Sequence, residues 1–97
     1  MSSVRVGGKP VEGPASMQVR VLAFARLREI MEGPERVLEL PLGARIRDCW
    51  SALVERYPAL GPEQGSTRVA RNGRLGSLDD LLADGDEIAL LPPVGGG

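Results

Sequence analysis

Arg45-Ile46-Arg47-Asp48-Cys49-Trp50-Ser51-Ala52-Leu53-Val54-Glu55-Arg56-Tyr57 is the stretch around which the rest of this chain is organised. Its apolar residues recur at the i, i+3, i+4, i+7, i+8 and i+11 spacing of one helix face. They are Ile46, Cys49, Trp50, Leu53, Val54 and Tyr57. Pro58 ends the pattern, because the residue before a proline avoids the helical region. The sequence therefore predicts one main amphipathic helix over residues 45–57.

Two strand-like segments precede this helix. Residues 17–24 are rich in apolar residues on both faces, which predicts a central strand. One face would carry Val19, Val21 and Ala23, and the other Leu22 and Phe24. Residues 35–40 are weakly patterned, which predicts a strand near a sheet edge. Between the two strands, residues 26–32 predict a short helix that ends at Gly33-Pro34.

A hairpin is predicted after the main helix. Asn72-Gly73 is the strongest hairpin signal in the chain, because both residues tolerate the positive φ angles of a type I′ turn. It separates two short predicted strands, residues 67–70 and 74–75. A predicted polar loop, residues 61–66, connects this hairpin to the helix.

The last part of the chain is predicted to return to the sheet. Ser77-x-x-Asp80 resembles a helix capping box with Asp in place of Glu, which predicts a helical turn. That turn would run through Leu78, Leu81 and Leu82. Asp84-Gly85 predicts a further turn, and residues 86–91 the final strand. This order of elements predicts an α+β fold, a mixed sheet packed on one main helix, which is the β-grasp or ubiquitin-like plan.

The chain divides into three segments. Residues 1–16 carry glycines and prolines without apolar periodicity, which predicts a flexible leader that contains Lys9, the only lysine. Residues 17–91 are the predicted domain, and residues 92–97 are predicted to form an extended functional tail. Two prolines would stiffen the root of the tail, and its glycines would let a partner close around the backbone near the terminal carboxylate. The alternative is a frayed terminus, which the direct join to a predicted core strand disfavours.

Composition narrows the classes of function. The chain has 97 residues, no histidine and one cysteine, which excludes zinc sites and nucleophile pairs built on those residues. We therefore expect a protein that is not catalytic alone. A formal net charge of −1 argues against a nucleic-acid partner, and no apolar run is long enough to span a membrane. In the absence of an apolar signal segment, we expect a soluble cytoplasmic protein.

Two features that resemble functional sites have simpler interpretations. Cys49 and Trp50 lie on the apolar stripe of the main helix, which predicts core residues rather than a nucleophile and a ligand-stacking side chain. An acidic cluster lacks the spacing of a calcium loop and occupies positions where caps and turns favour Asp. Its members are Asp79, Asp80, Asp84, Asp86 and Glu87. We expect no metal site.

Four ordered motifs carry a resemblance to a known family. They are Phe24-Ala25-x-x-Arg28-Glu29, Asn72 in the hairpin, residues 84–88, and Pro92-Pro93-Val94 before Gly96-Gly97. With them, residues 17–97 resemble the MoaD/ThiS sulfur carriers, and within these the molybdopterin synthase small-subunit branch. Three positions depart from the pattern of that branch.

The departures are local. Gly95 stands where relatives often have Ala, Ser or Thr, which should loosen the tail. Arg45 replaces a frequent Thr N-cap, so we expect a less satisfied first turn of the main helix. Leu90-Leu91 replaces a frequent aromatic pair, which should alter the contact with a partner.

The resemblance implies a sulfur carrier. An ATP-dependent ubiquitin-activating-type adenylyltransferase would adenylate the carboxylate of Gly97, which follows Gly96, because AMP is a good leaving group. A sulfur donor protein would then convert it to a thiocarboxylate. The tail would insert into the large subunit of molybdopterin synthase, in an expected heterotetramer, and transfer sulfur to cyclic pyranopterin monophosphate in molybdenum cofactor biosynthesis. No cofactor would stay bound to this chain, since ATP belongs to the activating enzyme.

For docking to a partner, we select apolar side chains that an isolated domain has little reason to expose, with one polar contact. They are Phe24, Leu75 and Leu91, with Arg28, followed by the tail residues Pro92, Pro93, Val94 and Gly95. The competing interpretation is that Phe24 and Leu91 are ordinary core residues.

Alternative functions stay open. Similar carriers deliver sulfur to thiamine, to cysteine synthesis or to tRNA thiolation, although the Pro-Pro-Val approach to the tail favours the molybdopterin branch. A ubiquitin-like protein modifier, whose Gly97 is conjugated to a lysine, and a plain interaction module are alternatives from another class.

Overall fold

A computed structural model describes residues 16–93 of the chain. Its elements are β1 (Ser16–Ala23), α1 (Ala25–Ile30), β2 (Glu35–Pro41), α2 (Ile46–Arg56), a 3₁₀ helix (Pro58–Ser66), β3 (Arg68–Arg71), β4 (Arg74–Leu75) and β5 (Glu87–Leu91). β1 begins one residue before the predicted start of the domain. The rest of the predicted leader and the last four residues of the predicted tail lie outside the described residues.

The five strands form one mixed sheet in the order β2-β1-β5-β3-β4. β1 and β5 are parallel neighbours, and the other pairs are antiparallel. β5 is therefore the central strand, and β2 lies at an edge as its weak patterning predicted. The predicted hairpin turn is confirmed, because Asn72 and Gly73 have φ angles of 50° and 87°, as a type I′ turn requires.

The core lies between one face of the sheet and α2. Alternation along β1 places Val19, Val21 and Ala23 in this core, each at most 2% exposed. The apolar stripe of α2 packs against them, with Cys49 1% and Trp50 6% exposed, so the prediction that both are core residues is confirmed. None of the helices between residues 16 and 93 is long and apolar enough to cross a membrane.

The predicted polar loop over residues 61–66 is wrong, because this segment belongs to the 3₁₀ helix Pro58–Ser66. Pro58 occupies the first turn of that helix, where its fixed φ is compatible with helical structure and its missing N–H is not needed. Leu60 is fully buried and anchors the segment against the core. Leu60 directly precedes the predicted loop, so the polar composition of residues 61–66 gave no sign of this buried contact.

The predicted helical turn over residues 77–82 is also wrong. One capping-box bond does form, since the N–H of Ser77 donates to the Asp80 carboxylate at 3.0 Å. The chain then extends instead of continuing as a helix, because Leu81 forms an isolated β-bridge with Arg45. The segment is thereby drawn to the start of α2.

This contact also corrects the expectation of a less satisfied first turn in α2. The N–H groups at the start of the helix have acceptors in the side chain of the first turn and in the carbonyls of residues 78–80. The pairs are Arg45 to the Asp48 carboxylate at 2.7 Å, Ile46 to the Asp80 carbonyl at 3.0 Å, and Arg47 to the Leu78 carbonyl at 2.9 Å. The neighbouring backbone therefore performs the capping that a threonine side chain would provide.

Candidate functional site

The tail leaves the molecule from the middle of the sheet. β5 ends at Leu91, whose cross-strand partner is Arg68, the first residue of β3. On the other side, Leu90 lies opposite Ala23, the last residue of β1. Pro92 is half-buried and Pro93 is exposed. The last residues of β5 are therefore held by strands on both sides, and the chain continues from there into Pro92 and Pro93.

An apolar row crosses the sheet face that α2 does not cover. Leu22, Ala89, Ala70 and Leu75 are successive partners across β1, β5, β3 and β4. Directly paired residues project from the same face of a sheet, so these four side chains form one row. Leu75, at the end of the row, is 62% exposed.

A second row lies closer to the tail. Phe24 directly follows β1, and its extended backbone (φ −131°, ψ 154°) continues the alternation of that strand, on the side of Leu22. Its side chain is 45% exposed, so the interpretation of Phe24 as a core residue is wrong. Leu91 is half-buried on the same face. We call Leu22, Phe24, Ala70, Leu75, Ala89 and Leu91 the open apolar face.

Charged side chains border the open apolar face on the side away from the tail. Arg20 lies opposite Glu87 on β5 and forms an ion pair with it. A second carboxylate, Glu35 on β2, lies 3.8 Å from Arg20. The apolar rows thus run from this charged border to the root of the tail.

Exposed arginines lie on α1 and at the start of β3. Arg28, on α1, is exposed and is absent from the ion pairs found within residues 16–93. Arg26, on the same helix, pairs with Glu63 of the 3₁₀ helix at 3.1 Å. Arg68 lines a shallow surface depression with the end of the 3₁₀ helix and the two prolines of the tail root.

A hydrogen-bonded network holds the opposite end of β5. Asp86 is 6% exposed, and its carboxylate accepts from the Arg71 Nε at 2.7 Å, the Asn72 Nδ2 at 2.9 Å and the Ala83 N–H at 2.8 Å. Burial alone would raise the pKa of Asp86, but the bonds from Asn72, Arg71 and Ala83 outweigh it, so the pKa is lowered. The side-chain oxygen of Asn72 also accepts from the N–H of Glu87 at 2.9 Å.

Sequence reasoning missed this network, although both partners belonged to motifs it had noted. Asn72 was singled out in the hairpin and Asp86 in the acidic cluster, but no pattern links positions that are 14 residues apart. The signal available in the sequence was an aspartate directly after one turn, Asp84-Gly85, and an asparagine within another, Asn72-Gly73.

The carboxylates of the acidic cluster form hydrogen bonds and ion pairs within the domain. Within the described part of the chain, no group of three or more His, Cys, Asp or Glu side chains is placed to hold a metal ion. Asp79 pairs with Arg47, and Asp84 accepts from the N–H of Gln18 at 2.8 Å. The pKa of Asp79 is lowered by the hydrogen bond and the positive charge of Arg47. The carboxylates thus act as caps, turn acceptors and ion-pair partners.

Burial raises the pKa of the only thiol, Cys49, to about 12, so this side chain is neither accessible nor ionised at neutral pH.

Of the predicted site residues, the structure brings Phe24, Leu91, Pro92 and Pro93 together at one end of the sheet. Leu75 lies further along the same face. Val94, Gly95, Gly96 and Gly97 lie outside the described residues.

Several known proteins are similar to this chain. The ThiS family profile matches residues 21–97. The molybdopterin synthase sulfur carrier subunit of Escherichia coli (strain K12) is 38% identical over 81 residues, which cover 81% of this chain and 99% of that protein. Small archaeal modifier protein 1 of Haloferax volcanii is 35% identical over 82 residues, which cover 76% of this chain and 94% of the relative.

Solved structures agree in fold. A Pyrococcus furiosus chain assigned to molybdopterin converting factor, subunit 1, superposes with a TM-score of 0.76 at 36% identity, covering 81% of this chain and 100% of that one. Subunits 1 and 2 of the Helicobacter pylori molybdopterin-converting factor form a complex that matches with a TM-score of 0.60 at 28% identity, covering 84% and 100%. Caldiarchaeum subterraneum ubiquitin, 21% identical with a TM-score of 0.59 and coverage of 84% and 99%, supports the ubiquitin-like β-grasp fold alone. The motifs, the fold and the profile match agree, and the chain belongs to the ThiS/MoaD family.

Proposed function

We propose that this protein is the sulfur-carrier subunit of a molybdopterin synthase. The observation that carries the proposal is the position of β5, which is central in the sheet and contributes Ala89 and Leu91 to the open apolar face. In the sequence, Pro92-Pro93-Val94 and the terminal glycines follow this strand. The Escherichia coli and Arabidopsis thaliana relatives, 38% and 31% identical, are molybdopterin synthase sulfur carrier subunits and support the role.

In this proposal the reactive group is the carboxylate of Gly97. Its oxygen attacks the α-phosphorus of ATP on an adenylyltransferase, and pyrophosphate leaves. A sulfur donor protein then supplies sulfur at the sulfide level, as hydrosulfide. This sulfur bonds to the carbonyl carbon, the bond between that carbon and AMP breaks, and a thiocarboxylate, AMP and a proton result. The chain has no histidine, and Cys49 is buried, which supports a mechanism whose acid–base groups belong to the partner proteins.

Docking to a large subunit uses the open apolar face in this proposal. Phe24 and Leu75 are 45% and 62% exposed, and large apolar side chains that remain exposed near a functional segment are typical of interaction sites. The complex of subunits 1 and 2 from Helicobacter pylori supports a large-subunit partner. Arg28 supplies a polar contact, and the tail enters the partner's pocket. The sulfur of two tails would then be transferred to cyclic pyranopterin monophosphate within a heterotetramer.

A protein-modifier function is the second candidate. It is favoured by one observation, the 35% identity to small archaeal modifier protein 1 of Haloferax volcanii. In that case the activated Gly97 would be transferred to a lysine of another protein, and an amide bond would replace the bond to sulfur. Sulfur delivery to thiamine, cysteine or tRNA would use the same thiocarboxylate with a different acceptor.

Intact mass spectrometry tests the proposal. The protein is purified from its native host without a C-terminal tag, and its mass is compared with that of a variant that lacks Gly97. We expect a species in which one oxygen is replaced by sulfur, and we expect it only in the full-length chain. Unmodified carboxylate alone, even when a matched activating enzyme, ATP and a sulfur source are supplied, would overturn sulfur carriage.

A second readout separates the candidates. Incubation of the sulfur-loaded protein with its large subunit and cyclic pyranopterin monophosphate should return the tail to a carboxylate. If lysine conjugates accumulate in the native cell instead, the modifier function is favoured.

A further inference from the structure

The sheet has one short edge and one long edge. β4, at one edge, has two residues, whereas β2, at the other, has seven. An edge strand presents a row of backbone N–H and C=O groups without strand partners, and another strand can bind there. Proteins commonly protect such an edge with proline, a bulge or a covering segment. The protection of β2 therefore determines whether it can pair with a further strand.

The hydrogen bonds of β1 show which residues of β2 point outward. The N–H of Arg20 donates to the Asp86 carbonyl at 2.9 Å, so the backbone of Arg20 bonds towards β5 and not towards β2. In an antiparallel pair, residues that bond to the partner strand alternate with residues whose N–H and C=O groups point away from it. Because Val37 lies opposite Arg20, the backbone groups of Val37 and of its neighbours two residues away, Glu35 and Glu39, face the free edge.

Protection of this edge is confined to its two ends. At one end, the Glu35 carbonyl accepts from the Arg36 Nη1 at 2.9 Å. At the other, Pro41 has no N–H, and its carbonyl accepts a hydrogen bond from the following turn at 3.1 Å. Between them, the N–H and C=O groups of Val37 and Glu39 take part in no turn or side-chain hydrogen bond described within residues 16–93. The middle of the edge is therefore open, and the Val37 side chain there is 56% exposed.

The side chains along this edge fit a second copy of the same strand. If two copies of β2 pair antiparallel about a two-fold axis at Leu38, all seven residues overlap, and Val37 of each copy lies opposite Glu39 of the other. The outward backbone groups of both residues are then paired. A shift by two residues in one direction places Glu35 opposite Glu39, and in the other direction Glu39 opposite its own copy. Like charges directly opposite are destabilising, so the register centred on Leu38 is favoured.

We propose that β2 binds β2 of a second copy of this chain in the register centred on Leu38, so that two five-stranded sheets form one continuous sheet. The two-fold axis of an antiparallel pair is perpendicular to the sheet, so the open apolar faces of both copies lie on the same side. In each copy, β1 and β2 separate the interface from β5. The dimer therefore leaves the end of β5 free, and it does not depend on the proposed sulfur transfer.

The test is a set of charge substitutions at Val37 in the full chain, with the dimer dissociation constant measured by sedimentation equilibrium. Low ionic strength is used because salt screens exposed charges. Val37→Lys places an ammonium group opposite Glu39 of the second copy, and Val37→Glu places a carboxylate there. Each substitution enters the two-fold interface twice, so we expect the dissociation constant to fall about 5-fold with Lys and to rise about 5-fold with Glu.

Three further variants test the register and the backbone pairing. Val37→Glu combined with Glu39→Lys restores opposite charges across the same pair and should dimerise about as tightly as Val37→Lys. In a register centred on Val37, by contrast, Val37→Lys would oppose its own copy and weaken the dimer. Val37→Pro removes one outward N–H without adding charge and should also weaken it, because proline is tolerated at a sheet edge but cannot donate to a new strand.

Leu42 provides the matched control. It is also 56% exposed and directly follows β2, but it lies outside the paired strand. Leu42→Lys and Leu42→Glu should therefore leave the dissociation constant unchanged. Circular dichroism checks the fold of every variant.

Two results would overturn the proposal. One is a Val37→Lys variant that dimerises no more tightly than Val37→Glu. The other is self-association that is lost in Leu75→Glu but unchanged in Val37→Glu, which would assign it to the open apolar face instead of the β2 edge.

Discussion

The two ends of β5 differ in how they are held. At its start, the buried carboxylate of Asp86 accepts three hydrogen bonds, and Asn72 bonds to both the N–H and the carbonyl of Glu87 at 2.9 and 2.8 Å. At its end, Pro92 and Pro93 have no N–H to donate, and the neighbouring Phe24 is 45% exposed. The start of the strand is held by side-chain hydrogen bonds in addition to strand pairing, whereas its end is paired but lies beside an exposed apolar side chain.

This difference separates the structural and functional parts of a single strand. A shift of β5 by one residue would move Ile88 and Leu90 from the core to the open face, so its register must be fixed somewhere. The network around Asp86 fixes it about five residues before the tail begins. The end of β5 next to the tail can then bind a partner without a loss of stability in the sheet.

Deletion of Gly97 should give the largest functional effect with the smallest structural one. We expect complete loss of sulfur loading, because the activated carbonyl is displaced by one residue from the position that the activating enzyme recognises. The free energy of unfolding should change by less than about 0.5 kcal/mol, since glycine has no side chain that could be buried in a core. Intact mass and urea unfolding measure the two effects. Sulfur loading of the shortened chain would contradict the tail mechanism.

Asp86→Ala should have the opposite pattern, with a large loss of stability and a small effect on sulfur loading. The substitution leaves the donors of Arg71, Asn72 and Ala83 without their acceptor, which should lower the free energy of unfolding by about 3 kcal/mol. Asp84→Ala removes a single exposed acceptor and should cost about 1 kcal/mol, so it is the matched control. Urea unfolding measures both. Equal losses in the two variants would show that the buried network contributes no more to stability than a single exposed hydrogen bond.

Charge on the open apolar face should weaken binding while the domain stays folded. We expect Leu75→Glu and Leu91→Glu each to reduce affinity for a large subunit by at least about 30-fold, or about 2 kcal/mol, because a carboxylate would be desolvated at the interface. Isothermal titration calorimetry measures the affinity. Leu81→Glu is the control, since Leu81 is 54% exposed but lies beside the start of α2.

Circular dichroism decides how the Leu91 result is interpreted. Leu91 is half-buried, so a global loss of structure in Leu91→Glu would make this residue part of the core rather than of the interface. Leu75, at 62% exposure, is free of this ambiguity. Unchanged affinity in Leu75→Glu would remove the open apolar face as the docking surface.

The pH dependence of stability should give the smallest effect. The pKa of Asp86 is lower in the folded state than the ordinary value of about 3.9 in the unfolded chain. Its ionised form therefore stabilises the fold above about pH 4, and this contribution is lost as the pH falls through the lower folded pKa. We expect the free energy of unfolding to fall as the pH is lowered through this range, measured by urea unfolding from pH 5 to pH 2.

A pair of substitutions isolates this carboxylate. Asp86→Asn should flatten the acid branch of the stability curve because it removes the titrating group. Asp79→Asn should change the curve less, because the Asp79 side chain is exposed and solvent screens its pair with Arg47. An unaltered acid branch in Asp86→Asn would assign the effect to other carboxylates.

Local patterns predicted most of the fold. Three features depend only on residues that are close in the sequence, so the sequence was sufficient to predict them. They are the apolar stripe of α2, the Asn72-Gly73 turn and the alternation of β1. Residues 61–66 and 77–82 were predicted wrongly. Leu60 packs into the core and Leu81 bridges to Arg45, and both contacts join residues that are distant in the chain.

The candidate site was predictable in its chemistry and only partly in its geometry. The motifs and the lack of histidine pointed to a carrier tail, and the family is confirmed. The exposure of individual leucines was harder to predict, because Leu75 and Leu90 look alike in sequence but are 62% and 1% exposed. The difference arises from the sheet face on which each residue lies.

The sequence by itself determined the helix periodicity, the turn positions and the composition of the tail, because these depend on short-range backbone and side-chain preferences. Only the tertiary structure decided that Asp86 meets Arg71 and Asn72, that residues 78–80 cap α2, and that Arg68 lies opposite Leu91. These pairings depend on strand order and register, which are set by packing the whole sheet against one helix. No local preference encodes them.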